Sequence, residues 1–196
     1  MAYTTINKSS SFMNTVLYTG NSSARTISGV GFKPDFTWIK ARNGTYWHQL
    51  TDIVRGYDKQ IASNSTGTGG TSTTGITSWN SDGFALGTNT DFNNNTYTYA
   101  AWNWLAGGNQ GSSNTDGSIN TTYTSVNTTA GFSISQYTGN GTANSTIGHG
   151  LGATPKFIIV KNLTTTQSWG TKNAAYNSPS DPGVLYLNST NATDNA

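Results

Sequence analysis

Two residue types could supply acid–base chemistry in this chain, and both are scarce. All eight acidic residues are Asp, and there are two His. A glycosidase needs two carboxylates about 5–10 Å apart, and Asp35 and Asp52 lie on predicted strands. The other Asp residues of the first half that we consider are Asp58, Asp82 and Asp91. Asp82 falls in a predicted turn, where Asp is an ordinary residue, so we expect no catalytic carboxylate pair.

Metal and cofactor sites are not expected either. The chain has no Cys and no third His to join His48 and His149, so we do not expect a transition-metal site. The glycines of 148–152 are followed by Pro155 and a β-branched segment, whereas a phosphate loop needs a helix after it. Asn114–Gly117 lacks the ligand spacing of a calcium loop. A Ser-His-Asp triad stays open, because nothing singles out one serine.

Aromatic residues are the remaining candidates for binding. An exposed Trp or Tyr could stack against a sugar ring. Aromatic residues also pair across sheets in cores, and we predict this second role for four of the Trp residues. They are Trp38, Trp47, Trp102 and Trp104, with Trp38 and Trp47 as cross-strand neighbours.

Short β-branched and aromatic segments separated by turn signals predict an all-β protein. Asn43-Gly44 and 80–83 are hairpin turns by composition, and 96–105 is the longest strand candidate. We predict an antiparallel β-sandwich of the jelly-roll or lectin-like kind. Gly29, Gly31 and Pro34 are predicted to form a bend with positive φ at the glycines, followed by a strand over 35–42 with Trp38 on an inner face.

One block of sequence occurs twice. Tyr18-Thr-Gly-Asn21 and 29–40 return as Tyr137-Thr-Gly-Asn140 and 150–161, with Trp47 matched to Trp169 and 64–66 to 188–190. The spacing of about 120 residues is too long for a solenoid unit of about 20–50 residues, so it indicates a duplicated domain. We divide the chain into an N-terminal arm (1–13), a first repeat (14–107), a linker or opening hairpin (108–129) and an incomplete second repeat (130–196).

Two expectations concern the ends of the chain. The arm either docks on a neighbouring subunit or is a frayed terminus. The second repeat lacks counterparts of Trp79, Phe84 and Trp102, so we expect that the sequence belongs to a longer chain.

Composition narrows the class of protein. Charged residues make up 9% and aromatic residues 12% of the chain. This aromatic content argues against disorder. The basic residues are scattered, whereas nucleic-acid binders concentrate them, and no apolar run approaches the roughly 18 residues of a membrane span. We therefore expect neither nucleic-acid binding nor membrane insertion.

Several blocks in order resemble a family of virion proteins from marine tailed phages. They are 1–6, 18–21, 29–42, 54–56, 80–84, 101–104, 114–119 and 148–152. The resemblance implies tandem copies of one unit in a structural virion component of the tail-fibre, appendage or capsid-decoration type. It implies no catalytic residues and no cofactor. Its implied partners are capsid or tail proteins and copies of the chain itself, in a virion assembled in the bacterial cytoplasm.

Two other functions stay open at this point. One is a carbohydrate-binding, lectin-like module that contacts host-surface glycans. The other is a polysaccharide hydrolase using Asp35, Asp52 or another Asp.

Overall fold

The computed structural model describes residues 6–173 and 184–190, and its regular structure is almost entirely β. Two short helical turns are present, a 3₁₀ turn at Ser9–Ser11 and α1 at Thr90–Asn93. The strands are β1 (Met13–Thr19), β2 (Arg25–Ser28), β3 (Phe36–Ala41), β4 (Gln49–Asp52), β5 (Gly56–Ala62), β6 (Gly70–Thr71), β7 (Ile76–Asn80), β8 (Gly83–Leu86), β9 (Thr98–Trp104), β10 (Thr121–Asn127), β11 (Phe132–Tyr137), β12 (Phe157–Val160), β13 (Gly170–Asn173) and β14 (Leu185–Tyr186).

The first repeat is a two-layer antiparallel sandwich, which confirms the predicted fold class. One sheet has six strands in the order β1-β9-β3-β4-β5-β6, and the other has the order β2-β8-β7. Apolar side chains from both sheets and from α1 meet between them. This core contains Tyr18, Ile27, Ile39, Ala41, Ile76, Phe84, Leu86, Phe92, Tyr99 and Ala101.

The large aromatic residues of β3 do not face this core, contrary to the prediction for Trp38. Thr37, Ile39 and Ala41 point into the sandwich and are fully buried. Alternation along a strand places Phe36 and Trp38 on the opposite side, which we call the outer face of the six-stranded sheet. Trp38 packs there against Trp102 of β9, with ring centroids 6.3 Å apart.

The second repeat covers this outer face. Trp169, directly before β13, and Ile159 of β12 join a cluster with Leu50, Ile61 and Trp38 of the first repeat. Phe132 of β11 packs on the Phe36 and Trp104 rings at the other end of the same face. Burial of these aromatic groups explains why the outer face is apolar although it is not the sandwich core.

The segment between the repeats includes an element that pairs with the second repeat. Strand β10 lies within 108–129 and forms an antiparallel hairpin with β11. Strand β10 spans Thr121–Asn127, and the chain over 108–120 before it forms no named strand.

Backbone hydrogen bonds define how the two repeats correspond. The Asn64 Oδ1 accepts the N–H of His48 at 3.1 Å, and the Asn188 Oδ1 accepts the N–H of Trp169 at 2.7 Å. The ladders around them have the same register. Trp169 is therefore equivalent to His48, and the predicted match of Trp169 with Trp47 is wrong by one residue.

The glycine bends are confirmed. Gly29 and Gly31 have φ of 90° and 87°, and Gly150 and Gly152 both have φ of 70°. Each bend is followed by a strand, β3 or β12, as predicted. Positive φ is accessible to glycine without steric cost, which explains the residue type at these positions.

Candidate functional site

The two strand carboxylates do not form an acid–base pair. Asp52 accepts the side chain of Arg55 at 2.6 Å and the Arg55 backbone N–H at 2.8 Å, so it closes the turn after β4. Asp35 binds the chain elsewhere: its Oδ2 accepts the N–H groups of Ala106 and Gly108 at 2.8 and 2.7 Å. Both carboxylates thus hold the backbone in place.

Asp35 is the most unusual carboxylate in the described residues. It is fully buried, and its second oxygen, Oδ1, has no hydrogen-bond partner among them. Burial raises the pKa of Asp35 above its ordinary value of 3.8, and the Gly108 and Ala106 amides and the Lys33 charge only partly oppose this. Lys33 itself donates to the Gly108 carbonyl at 2.6 Å. The group fastens the start of β3 to the segment that leads into the second repeat.

Asp82 occupies the first glycine bend. Its carboxylate accepts the N–H of Gly31 at 2.6 Å and that of Gly29 at 3.0 Å, and its carbonyl accepts the N–H of Val30. Amide groups that could cradle an anion are therefore already bound by the β7–β8 hairpin. This arrangement supports the prediction that the glycines form a bend and not a ligand loop.

Asp82 gives a pH-dependent prediction. The Gly31 and Gly29 amides bind its ionised form and hold its pKa below the ordinary 3.8. Because the folded-state pKa is lowered, the stabilisation is present above the unfolded pKa and is lost as pH falls through the folded pKa. We expect Asp82→Asn to lower the melting temperature at pH 7 and to lose this effect in acid. Circular dichroism melts from pH 7 to 3 measure it, and an equal difference at every pH contradicts the assignment.

The two histidines lie in different repeats, and only the His149 ring hydrogen-bonds to the backbone. Burial, aided by the Lys40 charge, lowers the pKa of His48 below its ordinary value of 6.5, so His48 is neutral at pH 7. His149 Nδ1 accepts the Leu151 N–H at 3.1 Å. Across 6–173 and 184–190, no three His, Cys, Asp or Glu side chains are grouped closely enough to hold a metal.

A groove beside Trp47 is the candidate binding site that combines an exposed aromatic ring with polar side chains. Trp47 is 49% exposed, against the prediction that it lies in a core. Strand β4 begins at Gln49, so Trp47 lies on the loop before it. The groove encloses about 290 Å³ and is lined by Trp47, Gln49, Gln60, Ile61, Ala62, Ser65, Gly67, Gly69, Gly70 and Asp91.

Polar groups converge at the floor of this groove. Gln49 donates through Nε2 to Asp91 Oδ2 at 2.8 Å. Its Oε1 and the Oε1 of Gln60 are buried and have no hydrogen-bond partner within the described ranges. Buried amide oxygens without partners are uncommon in folded proteins. The Gln60 Oε1 lies close to Gly75 and the Phe92 ring, so the accessible polar atoms of the groove come from other parts of its lining.

Hydrogen bonds from the second repeat hold one wall of the groove in place. Trp169 Nε1–H donates to the carbonyls of Ala62 and Ser65 at 3.0 and 3.1 Å. The carbonyl of Thr66 accepts Lys161 Nζ at 3.0 Å and the N–H of Gln167 at 3.1 Å. The loop over 62–67 is thus fixed from behind by contacts that cross between repeats.

Sequence reasoning identified Asp91 only as a possible acid and missed Gln49 and Gln60. The two glutamines were inconspicuous because single polar residues on strands have no distinctive spacing. The pairing of β4 with β5 brings them together. The predicted two-residue hairpin turn at Asn43-Gly44 is wrong, because β3 ends at Ala41 and β4 begins at Gln49. Trp38 therefore faces Leu50 on β4 and not Trp47.

The chain belongs to the family of the DUF7483 domain, a domain of unknown function, whose family model matches residues 8–196. No curated protein matches the chain, and no solved structure matches it. Within the part of the chain that the structure describes, neither helical turn has the length or apolar character to cross a membrane.

Proposed function

We propose that this chain is a non-enzymatic structural protein of a tailed-phage virion, in a surface appendage of the tail-fibre or capsid-decoration type. The observation that carries the proposal is the direct packing of one repeat on the outer face of the other, centred on Trp169, which is only 5% exposed. Tandem β domains joined by a buried interface are suited to a load-bearing appendage. The sequence resemblance to marine phage virion proteins supports the same proposal.

The hydrogen bonds and ion pairs of the Asp carboxylates support a structural role. Asp35, Asp52 and Asp82 bind backbone amides or an Arg, and Asp58 lies 3.3 Å from Lys59. A general acid or base must be within hydrogen-bond reach of a substrate proton, whereas these groups are engaged by the chain itself.

The virion proposal is tested on purified particles of the phage that encodes this sequence. Mass spectrometry should find the chain at a copy number comparable with other appendage proteins. Antibody against the chain should label fixed positions in negative-stain images, and antibody absorbed with the purified chain is the control. Particles that carry neither the peptides nor the label would refute the proposal.

The groove beside Trp47 favours glycan binding as a second candidate function. An exposed indole offers an apolar platform with a polar edge, and the Gln and Asp side chains below it can bind hydroxyl groups. Ligand sites typically combine an apolar wall with a few convergent polar groups. A saccharide of one or two rings suits a groove of about 290 Å³.

We expect Trp47→Ala to weaken glycan binding about tenfold or more, equivalent to about 1.4 kcal/mol or more, because the stacking platform is removed. Trp47→Phe should retain part of the affinity. Tyr57→Ala is the matched control, since Tyr57 is 46% exposed but does not line the groove. The measurement is a glycan array followed by titration calorimetry on any hit. A blank array, or equal losses in the Trp47 and Tyr57 variants, argues against a saccharide site.

A further inference from the structure

The second repeat reproduces only part of the first within the described residues. Strands β12, β13 and β14 are equivalent to β3, β4 and β5 by their ladders and registers. Strand β11 corresponds to β1 by the repeated sequence, in which Tyr137 matches Tyr18. In the first repeat, β9 lies between β1 and β3, and the β7–β8 hairpin covers the sandwich core. Residues 6–173 and 184–190 contain no counterparts of β7, β8 and β9 in the second repeat.

Strand β1 pairs with β9 along one of its two edges. The equivalent edge of β11 is unpaired. Thr124 of β10 donates its N–H to Ser112, away from β11. Because backbone groups in an antiparallel ladder alternate in direction, the partner of Thr124 in β11, Ser135, points its N–H and C=O away from β10. Strand β11 has no other neighbour in its sheet.

The first repeat shows what this edge binds. Val16 is equivalent to Ser135, as Tyr18 is to Tyr137. Gly20 donates its N–H to the Tyr97 carbonyl as the β1–β9 ladder continues, and alternation then directs the backbone of Val16 to β9 as well.

The edge of β12 follows the same rule. Ile159 is equivalent to Trp38 of β3, and Arg42 donates its N–H to Thr98 at the end of the β3–β9 ladder. Alternation directs the backbone of Trp38 to β9. Strand β12 is an edge strand with β13 on its other side, so both edges that hold β9 in the first repeat are open in the second.

The relation between the first strand and the glycine bend is also kept. Asn14 of β1 donates through Nδ2 to the Val30 carbonyl at 2.9 Å. Its equivalent in β11, Ser133, donates through Oγ to the His149 carbonyl at 2.6 Å. The bend that leads into β12 is thus also anchored to the preceding strand, although His149 corresponds to Ser28 and not to Val30.

An apolar face is open on the same strand. Ile158 and Val160 are each 45% exposed, whereas their equivalents in β3, Thr37 and Ile39, are 0% exposed beneath the second sheet. Exposed aliphatic pairs on a strand indicate a binding surface when they are continuous with an open edge.

The second glycine bend lacks the carboxylate that fills the first. Gly150 and Gly152 have positive φ like Gly29 and Gly31, but no acceptor for their N–H groups lies within the described ranges. In the first bend, Asp82 is that acceptor.

We propose that the second repeat binds a polypeptide segment with the pattern of residues 76–104. Its hairpin would place an Asp carboxylate on Gly150 and Gly152 and apolar side chains on Ile158 and Val160. Its last strand would pair with both β11 and β12, as β9 pairs with β1 and β3. The three open surfaces correspond to three contacts that one continuous segment makes in the first repeat, and this selects such a segment over a sugar or a whole second copy.

The test adds a peptide of residues 74–106 to the full chain and measures binding by calorimetry and hydrogen exchange. We expect one peptide per chain and new exchange protection at 133–137 and 157–161. Val160→Asp should weaken binding more than about tenfold, because it would bury an unpaired carboxylate. Leu17→Asp is the matched control, since it places the same charge on an exposed strand residue of the first repeat.

A fusion avoids dependence on peptide solubility. The same segment joined after Ala196 through a Gly/Ser linker should raise the melting temperature, and Val160→Asp should remove the increase while Leu17→Asp retains it. The proposal is overturned if the fusion gives no increase and the peptide gives no protection. It is also overturned if protection appears only in β1 and β3, or if the unmodified chain self-associates with protection at 157–161. None of these outcomes bears on whether antibody labels a virion.

Discussion

Replacing Trp169 by alanine should separate the second repeat from the first. Trp169 is 5% exposed and packs against Leu50 and Ile61 of the outer face. Its indole N–H also donates to the carbonyls of Ala62 and Ser65. Truncation of a buried Trp costs about 3–5 kcal/mol. We expect the free energy of unfolding of the second repeat to fall by this amount while the first repeat keeps its own core.

Two measurements distinguish this outcome from general unfolding. Limited proteolysis of Trp169→Ala should cut first within 105–120, between the repeats, and leave the first repeat intact. Trp47→Ala is the matched control, because Trp47 is 49% exposed and contributes little burial. Equal melting temperatures for Trp169→Ala and the unchanged chain would show that the interface does not stabilise the second repeat.

Trp169→Ala should also affect the groove beside Trp47. Trp169, Lys161 and Gln167 all bind carbonyls of the loop over 62–67, and residues of this loop form one wall beside Trp47. Loss of Trp169 should therefore weaken any glycan binding even though it does not line the groove. The effect would be indirect, through the position of Ser65 and its neighbours.

Local sequence signals predicted the elements that depend on local chemistry. The bend at Gly29 and Gly31, the β7–β8 hairpin and the long strand β9 were predicted because positive φ, turn residues and β-branched runs act over a few residues. The helical turn Thr90–Asn93 was missed, since one turn is too short to show periodicity. Asn89 caps it by accepting the Asp91 N–H at 2.9 Å.

The wrong prediction for Trp38 concerns a feature that the alternation of side chains along a strand does not determine. A two-residue period shows that Phe36 and Trp38 share a face, but not which face meets the other sheet. Large aromatic residues suggested the sandwich core, whereas the space between the sheets is filled by Ile39, Ala41 and Tyr99 among others. The outer face needs large rings because a second repeat lies on it.

The correspondence of Trp47 with Trp169 failed for a related reason. Identical residue types one position apart align well in sequence, but a one-residue slip moves a side chain to the other face of a strand. Here the slip separates an exposed residue at the groove from a buried residue at the repeat interface. The hydrogen bonds of Asn64 and Asn188 and the matching registers of the ladders establish that His48 is the equivalent of Trp169.

Asp35 should prove essential to stability and have no role in catalysis. Asp35→Ala leaves the buried N–H groups of Ala106 and Gly108 without their acceptor. An unsatisfied buried N–H costs about 1–3 kcal/mol, so we expect a loss of about 3 kcal/mol or more for the pair. Asp35→Asn keeps an acceptor oxygen and should lose much less at pH 7. Denaturant unfolding measures both, and a catalytic carboxylate would instead leave stability nearly unchanged in either variant.

The pH dependence of Asp35 should have the opposite sign to that of Asp82. Burial raises the pKa of Asp35 above 3.8, so its contribution to stability is full below the unfolded pKa and declines as pH rises through the folded pKa. The stability of the unchanged chain relative to Asp35→Asn should therefore increase from pH 7 towards pH 3, whereas the advantage over Asp82→Asn disappears over the same range. Parallel slopes for the two variants would show that one of the carboxylates is not bound as described. Opposite slopes would follow because one carboxylate is buried at the start of β3 while the other is ionised on a pair of exposed glycine amides.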